Sequence, residues 1–204
     1  MKRRDTKRPA TVDEDAWRPW HPTELAQRLG GLSKPWCIVG GWALDVWHGR
    51  QTRDHEDLEF TILREDFGTF RRLLKGMRFH TVASGVIKHL PARRSAEISQ
   101  IWCGDIQERR WRVDMMIEPG TSDLWVYKRD ASITRPRAEM VEVTPDGLPY
   151  LKPAAVLLFK AKYRRDKHEL DFANALPKLV PSERAWLKGC LATAHPDHEW
   201  SKQL

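Results

Sequence analysis

Two acids one residue apart, Asp57 and Glu59, follow a glycine pair and a basic loop in the stretch 40–60, GGWALDVWHGRQTRDHEDLEF. The run Asp57-Leu58-Glu59-Phe60-Thr61-Ile62 alternates with a period of two. As a strand it puts Asp57, Glu59 and Thr61 on one face and Leu58, Phe60 and Ile62 on the other. At a rise of about 3.3 Å per residue the α-carbons of the two acids lie about 7 Å apart. Carboxylates that share a face repel, so one takes up a proton or both share a cation. Oxygen ligands of this kind suit Mg²⁺, which binds one or two carboxylates together with substrate phosphates. Such a pair also suits a two-metal site about 3.5 to 4 Å across, built for in-line displacement at phosphorus. A solvated strand face can carry the same D-x-E, so the surrounding elements must decide.

Trp36-Cys37-Ile38-Val39 is a short apolar run that ends in Gly40-Gly41, and Trp42, Leu44, Val46 and Trp47 then recur at helical spacing. The pattern predicts strand, tight glycine turn, short helix, with the free amides of the first helical turn offered to an anion such as phosphate. Arg53, in the loop that follows, is a candidate for bidentate contact with phosphate oxygens. His55 is expected to orient Asp57 or the loop through a hydrogen bond, and Asp45 to fix the loop by capping or by pairing with Arg50 or Arg53. Farther on, Trp111 to Ile117 reads as a strand with Asp114 in its middle, flanked on its own face by Arg112 and Met116. An acid in an apolar strand is costly to bury without a partner, which makes Asp114 a candidate third site acid. Pairing with Arg112 or another arginine is the alternative. Lys160 lies amid Leu157, Leu158, Phe159 and Ala161 and must either snorkel to water or meet an anion such as a nucleotide phosphate.

The elements that must hold these residues read as α/β in the α+β sense, a mixed sheet backed by helices. A proline-started helix is expected over 22–29 with Gly30-Gly31 as its stop, and another near 67–74 from Phe67, Phe70 and Leu74. Residues 78–126 read as strands in antiparallel hairpins, with a polar connector over 104–110 and a turn at Pro119-Gly120. Residues 133–152 read as a loop-rich link with one short strand around 140–143. Helices follow at 153–162, the first apolar nearly all round, then at 167–176 and 181–194. The organisation expected is a disordered basic tail over 1–15, a main domain over 16–150 and a helical C-terminal portion over 151–204.

Charge and cysteine usage narrow the class further. Of the formal +7, a net +4 lies in residues 1–9, while the remaining chain carries 30 basic and 27 acidic residues. The imbalance is mostly a tail, which disfavours a nucleic-acid partner. No apolar run approaches the roughly 18 residues of a membrane span, and the tail lacks the apolar segment of a secretory signal. Cys37, Cys103 and Cys190 are widely spaced without C-x-x-C pairing, which fits a reducing, cytoplasmic setting. The sequence contains no P-loop, G-x-S-x-G or H-E-x-x-H motif.

Gly40-Gly41-Trp42-Ala43-Leu44-Asp45, then Gly49, Thr52-Arg53, His55 and Asp57-Leu58-Glu59, resemble the signature of the aminoglycoside and lincosamide nucleotidyltransferases, a branch of the polymerase-beta nucleotidyltransferase superfamily. The signature spans about a tenth of the chain, with many fixed positions at fixed spacing. Those enzymes move a nucleoside monophosphate from a nucleoside triphosphate to a drug hydroxyl, and their pattern has a third carboxylate on a later strand, which Asp114 resembles. The resemblance implies a nucleotidyltransferase fold closed by the C-terminal helices. It further implies Mg²⁺ on Asp57, Glu59 and Asp114, triphosphate on Gly40, Gly41, Arg53 and Lys160, and AMP from ATP, or another nucleotide, delivered to a small hydroxyl-bearing acceptor such as an antibiotic. Asp114, or another carboxylate that the sequence does not single out, is the expected acceptor of the hydroxyl proton. One departure stands out: the second acid in the drug-modifying enzymes is usually aspartate, and here it is Glu59. The rival expectations are a catalytically silent nucleotide-binding or sensing protein and, through the basic tail, a nucleic-acid binder. The oligomeric state is left open.

Overall fold

A computed structural model describes residues 12–90 and 98–204. The basic tail over 1–9 therefore lies outside the described residues. The chain from Val12 packs on the sheet, where the sequence pattern placed a tail as far as residue 15. Val12 and Ala16 are buried with Trp111, and Trp111 Nε1 donates to the Asp13 carbonyl at 2.8 Å.

Helix α1 (Pro22–Leu29) starts where its sequence says it should. Pro22 occupies the first turn, the His21 ring accepts from the Thr23 amide, and Gly30 ends the helix in the left-handed conformation that glycine tolerates. Strand β1 (Trp36–Ile38) leads into helix α2 (Gly40–His48), then the polar loop and strand β2 (Glu59–Leu63). Helix α3 (Phe67–Leu73) buries Phe67 and Phe70. Strands β3 (Met77–Ala83), β4 (Val86–His89), β5 (Gln100–Asp105) and β6 (Arg110–Glu118) continue the sheet, and β7 (Leu124–Val126) pairs with β8 (Thr134–Pro136) as a separate ribbon. After the short helix α4 (Arg137–Met140) come strands β9 (Val141–Val143) and β10 (Pro149–Leu151). Helices α5 (Pro153–Ala161), α6 (Asp166–Ala175) and α7 (Pro181–Ala194) finish the chain.

The main sheet has the order β4-β3-β5-β6-β2-β1-β10-β9. It is mixed: β2 runs parallel to β6 and β1 parallel to β10, and the other neighbours are antiparallel. Leu58, Phe60 and Ile62 on one side of β2 join Leu25, Leu29 and Phe70 in a single core. The same core continues through Val156, Leu157 and Leu158 of α5 to Leu187 and Leu191 of α7. Alternation along β2 therefore leaves Asp57, Glu59 and Thr61 on the opposite face.

Two features differ from the sequence reading. The 133–152 link, expected to be loop-rich with one short strand, supplies β8, α4, β9 and β10, and β10 adds to the main sheet beside β1 with Ile38 opposite Tyr150. Three-residue strands are too short to show a period, and Pro136 and Pro149 sit at strand ends, where a missing amide is tolerated. The connector over 104–110 is also shorter than expected, because β5 runs to Asp105 and β6 begins at Arg110, with a register shift at Cys103/Gly104.

Because Leu157 is fully buried where α5 meets the core, Leu157→Ala should lower the unfolding free energy by about 2–5 kcal/mol. Urea denaturation checks this, with the midpoint falling at an unchanged slope.

Candidate active site

The parallel pairing of β2 with β6 sets Glu59 beside Asp114 in register. The ladder continues one residue upstream, where the Asp114 amide donates to the Leu58 carbonyl at 2.8 Å. Asp57 stands two residues ahead of β2. Glu59 and Asp114 are neighbours on two parallel strands, and Asp57, just ahead of β2, is near enough to raise both carboxyls. The arginine pairing considered for Asp114 is absent among the described residues. Arg112 pairs with Glu108 at 2.5 Å and donates to the Arg18 carbonyl at 2.8 Å.

Asp114 is only 2% exposed. Gln100 Nε2 donates to its Oδ2 at 2.6 Å, and among the described residues its Oδ1 has no hydrogen-bond partner. Burial, reinforced by Glu59, raises the Asp114 carboxyl well above the usual carboxylate range. Glu59 is pushed up to about 7 by burial and by Asp57. Burial raises Asp57 as well, opposed mainly by Lys167. These are the electrostatics of buried carboxylates that neighbour one another.

Glycine is required at Gly40 for two reasons. Its φ is +65°, and a Cβ there would fall on the Glu59 carboxylate. A Cβ on Gly41 would reach Arg53 and His55 at 2.5 Å. The space over both glycines is therefore occupied by side chains of the loop and of β2.

The loop is fixed by Asp45, which caps loop donors, the capping alternative, and does not pair with Arg50 or Arg53 among the described residues. Asp45 accepts from the Thr52 amide at 3.0 Å, from the Thr52 hydroxyl at 2.5 Å and from His55 Nε2 at 2.5 Å. His55 Nδ1 then accepts from Arg53 at 3.1 Å, and Trp42 packs on the imidazole with ring centroids 4.5 Å apart. Burial lowers the His55 pKa, opposed by Asp45. A neutral ring protonated on Nε2 satisfies both contacts.

Arg53 and Lys160 converge on Asp171 of α6, which is 3% exposed. Arg53 Nε and Nη2 donate to the two Asp171 oxygens at 2.9 and 3.0 Å, and Lys160 Nζ stands 2.7 Å from Oδ2. Burial acts against the Asp171 charge, but Arg53 and Lys160 outweigh it and hold the carboxyl below its ordinary value. The bidentate edge of Arg53, expected to face phosphate, is engaged by Asp171. Nothing in the local pattern around Asp171 marks it as the meeting point of α5, α6 and the loop, because Arg53 is distant in sequence.

A cavity of about 280 Å³ opens between this sheet face and α5. Glu59, Thr61, Met116 and Glu118 lie along its floor, and Val156, Phe159 and Lys160 come from α5. Among the tryptophans, Trp125 lines it. Trp102 and Trp111 instead pack against Trp17. The residues fit a divalent cation in their donor chemistry: carboxylate oxygens, one of them buried and unpartnered, next to a glycine cradle. They are not gathered into a ready three-ligand cage anywhere among the described residues. Mg²⁺, which needs few protein ligands when phosphates complete its shell, does not require such a cage.

Residues 23–141 match the sequence model of the aminoglycoside-2''-adenylyltransferase family. The chain belongs to this family. It is therefore a nucleotidyltransferase, and the match embraces Gly40, Gly41, Arg53, Asp57, Glu59 and Asp114 but stops short of Lys160 and Asp171. Among solved structures, the solution structure of the antibiotic-resistance factor ANT(2'')-Ia is similar at a TM-score of 0.55 and 16% identity, covering 89% of this chain and 94% of that one. ANT(2'')-Ia in complex with adenylyl-2''-tobramycin gives 0.55 and 15%, with 84% and 95% covered. The lincosamide antibiotic adenylyltransferase LnuA, lincomycin-bound, gives 0.54 and 15%, with 81% and 97% covered. At these identities the likeness establishes the nucleotidyltransferase fold. No curated protein matches the sequence.

The raised Glu59 value has a consequence for stability. Between the ordinary glutamate value of 4.5 and about 7, the folded chain holds a proton that the unfolded chain has released. Unfolding free energy contributed by Glu59 therefore falls as pH rises through this window and levels off above it. Without added metal, Glu59→Gln should flatten that decline and leave the variant more stable than the parent at pH 8 by roughly 1–3 kcal/mol. Urea titrations at pH 5 and pH 8 measure it.

Proposed function

We propose that the chain transfers a nucleoside monophosphate, AMP from ATP as the first expectation, to a hydroxyl of a small antibiotic-like acceptor. The observation that carries this reading is the in-register placement of Glu59 beside Asp114, with a buried unpartnered carboxylate oxygen, at the edge of a cavity that also bears cations. The names of the structural neighbours, an aminoglycoside enzyme and a lincosamide enzyme, support a drug hydroxyl as acceptor. A nucleoside triphosphate donor supports a cytoplasmic setting.

Asp57, Glu59 and Asp114 are the residues that would hold Mg²⁺, which when bound would neutralise charge on the donor phosphates. The chain's own contribution is positioning. Asp45 and His55 keep the loop in place, Gly40 gives the Glu59 carboxylate room, and Asp171 sets Lys160 at the cavity wall. Lys160 and the Gly40-Gly41 turn border the donor phosphates, and Arg53 steadies the loop from its pair with Asp171. The acceptor oxygen bonds to the α-phosphorus while the bond to pyrophosphate breaks, and pyrophosphate leaves with the bonding pair. Asp114 takes the hydroxyl proton at Oδ1.

A second reading, nucleotide binding without transfer, is favoured by one specific feature: the acids are not drawn together into a cage among the described residues. Pyrophosphate release separates the two. With Mg²⁺, each of four nucleoside triphosphates and a panel of aminoglycosides and lincosamides, the parent should release pyrophosphate with at least one pair. Asp57→Asn and Asp114→Asn should each lower the rate by about a hundredfold or more. Nucleotide binding with no release for any pair would establish the silent reading.

A further inference from the structure

The candidate acid Asp114 is gripped from the strand on its other side. In the β5–β6 ladder Trp102 stands directly opposite Asp114, and Gln100 stands opposite Met116. Residues opposed across a ladder share a face, so Gln100 and Trp102 lie on the face that carries Glu59, Asp114 and Met116. Gln100 is thus the diagonal neighbour of Asp114, at a backbone separation of about 7–8 Å that only a long side chain spans. Its amide does span it, with Nε2 donating to Oδ2 at 2.6 Å.

Little else holds the carboxyl. The terminal torsion of an aspartate is broad, so packing around its stem leaves the carboxyl plane free to turn. Arg112, two residues earlier, is taken up by Glu108 and by the Arg18 carbonyl. The Trp102 indole approaches closely enough to favour the charged carboxyl, yet its N–H makes a well-formed hydrogen bond with no group among the described residues. Asp114 Oδ1 is likewise buried and without a partner among them. We propose that Gln100 is a positioning residue for Asp114: by holding Oδ2 it fixes the carboxyl plane and reserves Oδ1 for the reacting centre, where a divalent cation and the acceptor hydroxyl meet. This rests on the nucleotidyl-transfer reading of the site. Groups one step removed from a metal orient its ligands in this way, and losing one costs about 10–100-fold in metal affinity or activity.

The test uses the full chain and reads Mn²⁺ affinity by electron paramagnetic resonance, with a non-hydrolysable ATP analogue present, in the parent, Gln100→Met and Gln100→Asn. Methionine keeps the length and removes the donor, whereas asparagine keeps the donor and shortens the arm. Each should weaken Mn²⁺ binding by roughly tenfold or more, while melting without metal stays close to the parent's. In an Asp114→Asn background, Gln100→Met should change Mn²⁺ affinity by less than about twofold, because the group it positions is gone. In pyrophosphate release, the variants should lose kcat and hold the acceptor KM within about twofold of the parent. Parental Mn²⁺ affinity in both variants overturns the proposal and leaves the transfer reading intact. So does a loss of equal size with and without the Asp114 carboxylate. A parent that binds Mn²⁺ with the analogue but releases no pyrophosphate for any nucleotide and antibiotic pair ends the transfer reading, and the Mn²⁺ series still decides the role of Gln100. A parent that binds no Mn²⁺ overturns both.

Discussion

The site depends on one strand pairing. Because β2 lies parallel to β6 with Glu59 opposite Asp114, two carboxylates that would each prefer water are brought side by side at the edge of a core. An unpaired buried carboxylate costs several kcal/mol, and a like-charged neighbour adds to the cost, so the isolated chain relieves it by holding protons. The raised Glu59 and Asp114 values are the same fact expressed as acidity. An arrangement this unfavourable is maintained by the apolar residues that alternate with the acids: Leu58, Phe60 and Val113 are fully buried on the other face and fix the register. A slip of one residue would bury the acids in the core.

Around this pairing the polar interactions form two layers. Asp45 organises the near layer, tying the end of α2 to the loop through Thr52 and His55. Asp171 organises the far layer, tying the same loop to α5 and α6 through Arg53 and Lys160. Arg53 belongs to both, since it also contacts His55. The pair of buried aspartates thus links the glycine turn to the helices that roof the cavity. A displacement of α6 would move Arg53 and, with it, the loop that precedes Asp57.

The sequence made the local parts legible and the long-range partnerships illegible. Period-two alternation over 57–62 identifies the face that carries Asp57 and Glu59, and the proline at Pro22 and glycine at Gly30 mark the ends of α1. The fixed spacing from Gly40 to Glu59 was specific enough to point to the family. Strand β10 was not readable, because three residues next to a proline carry no periodicity, and its place beside β1 follows from tertiary pairing alone. The same holds for charge. Arg53 reads as a phosphate contact and Lys160 as a cation in need of an anion, and only the fold brings Asp171 to both of them. Gln100 had no distinguishing pattern, and only the β5–β6 register brings it to Asp114.

The account turns on a divalent cation meeting the Glu59–Asp114 pair in the presence of donor phosphates. A crystal of the full chain grown with Mn²⁺ and a non-hydrolysable ATP analogue, measured at the manganese absorption edge, tests this directly. The account predicts an anomalous peak within about 2.5 Å of carboxylate oxygens of Glu59 and Asp114, with phosphate oxygens completing the shell. A peak elsewhere, or an analogue bound with its phosphates away from these two acids, would contradict it.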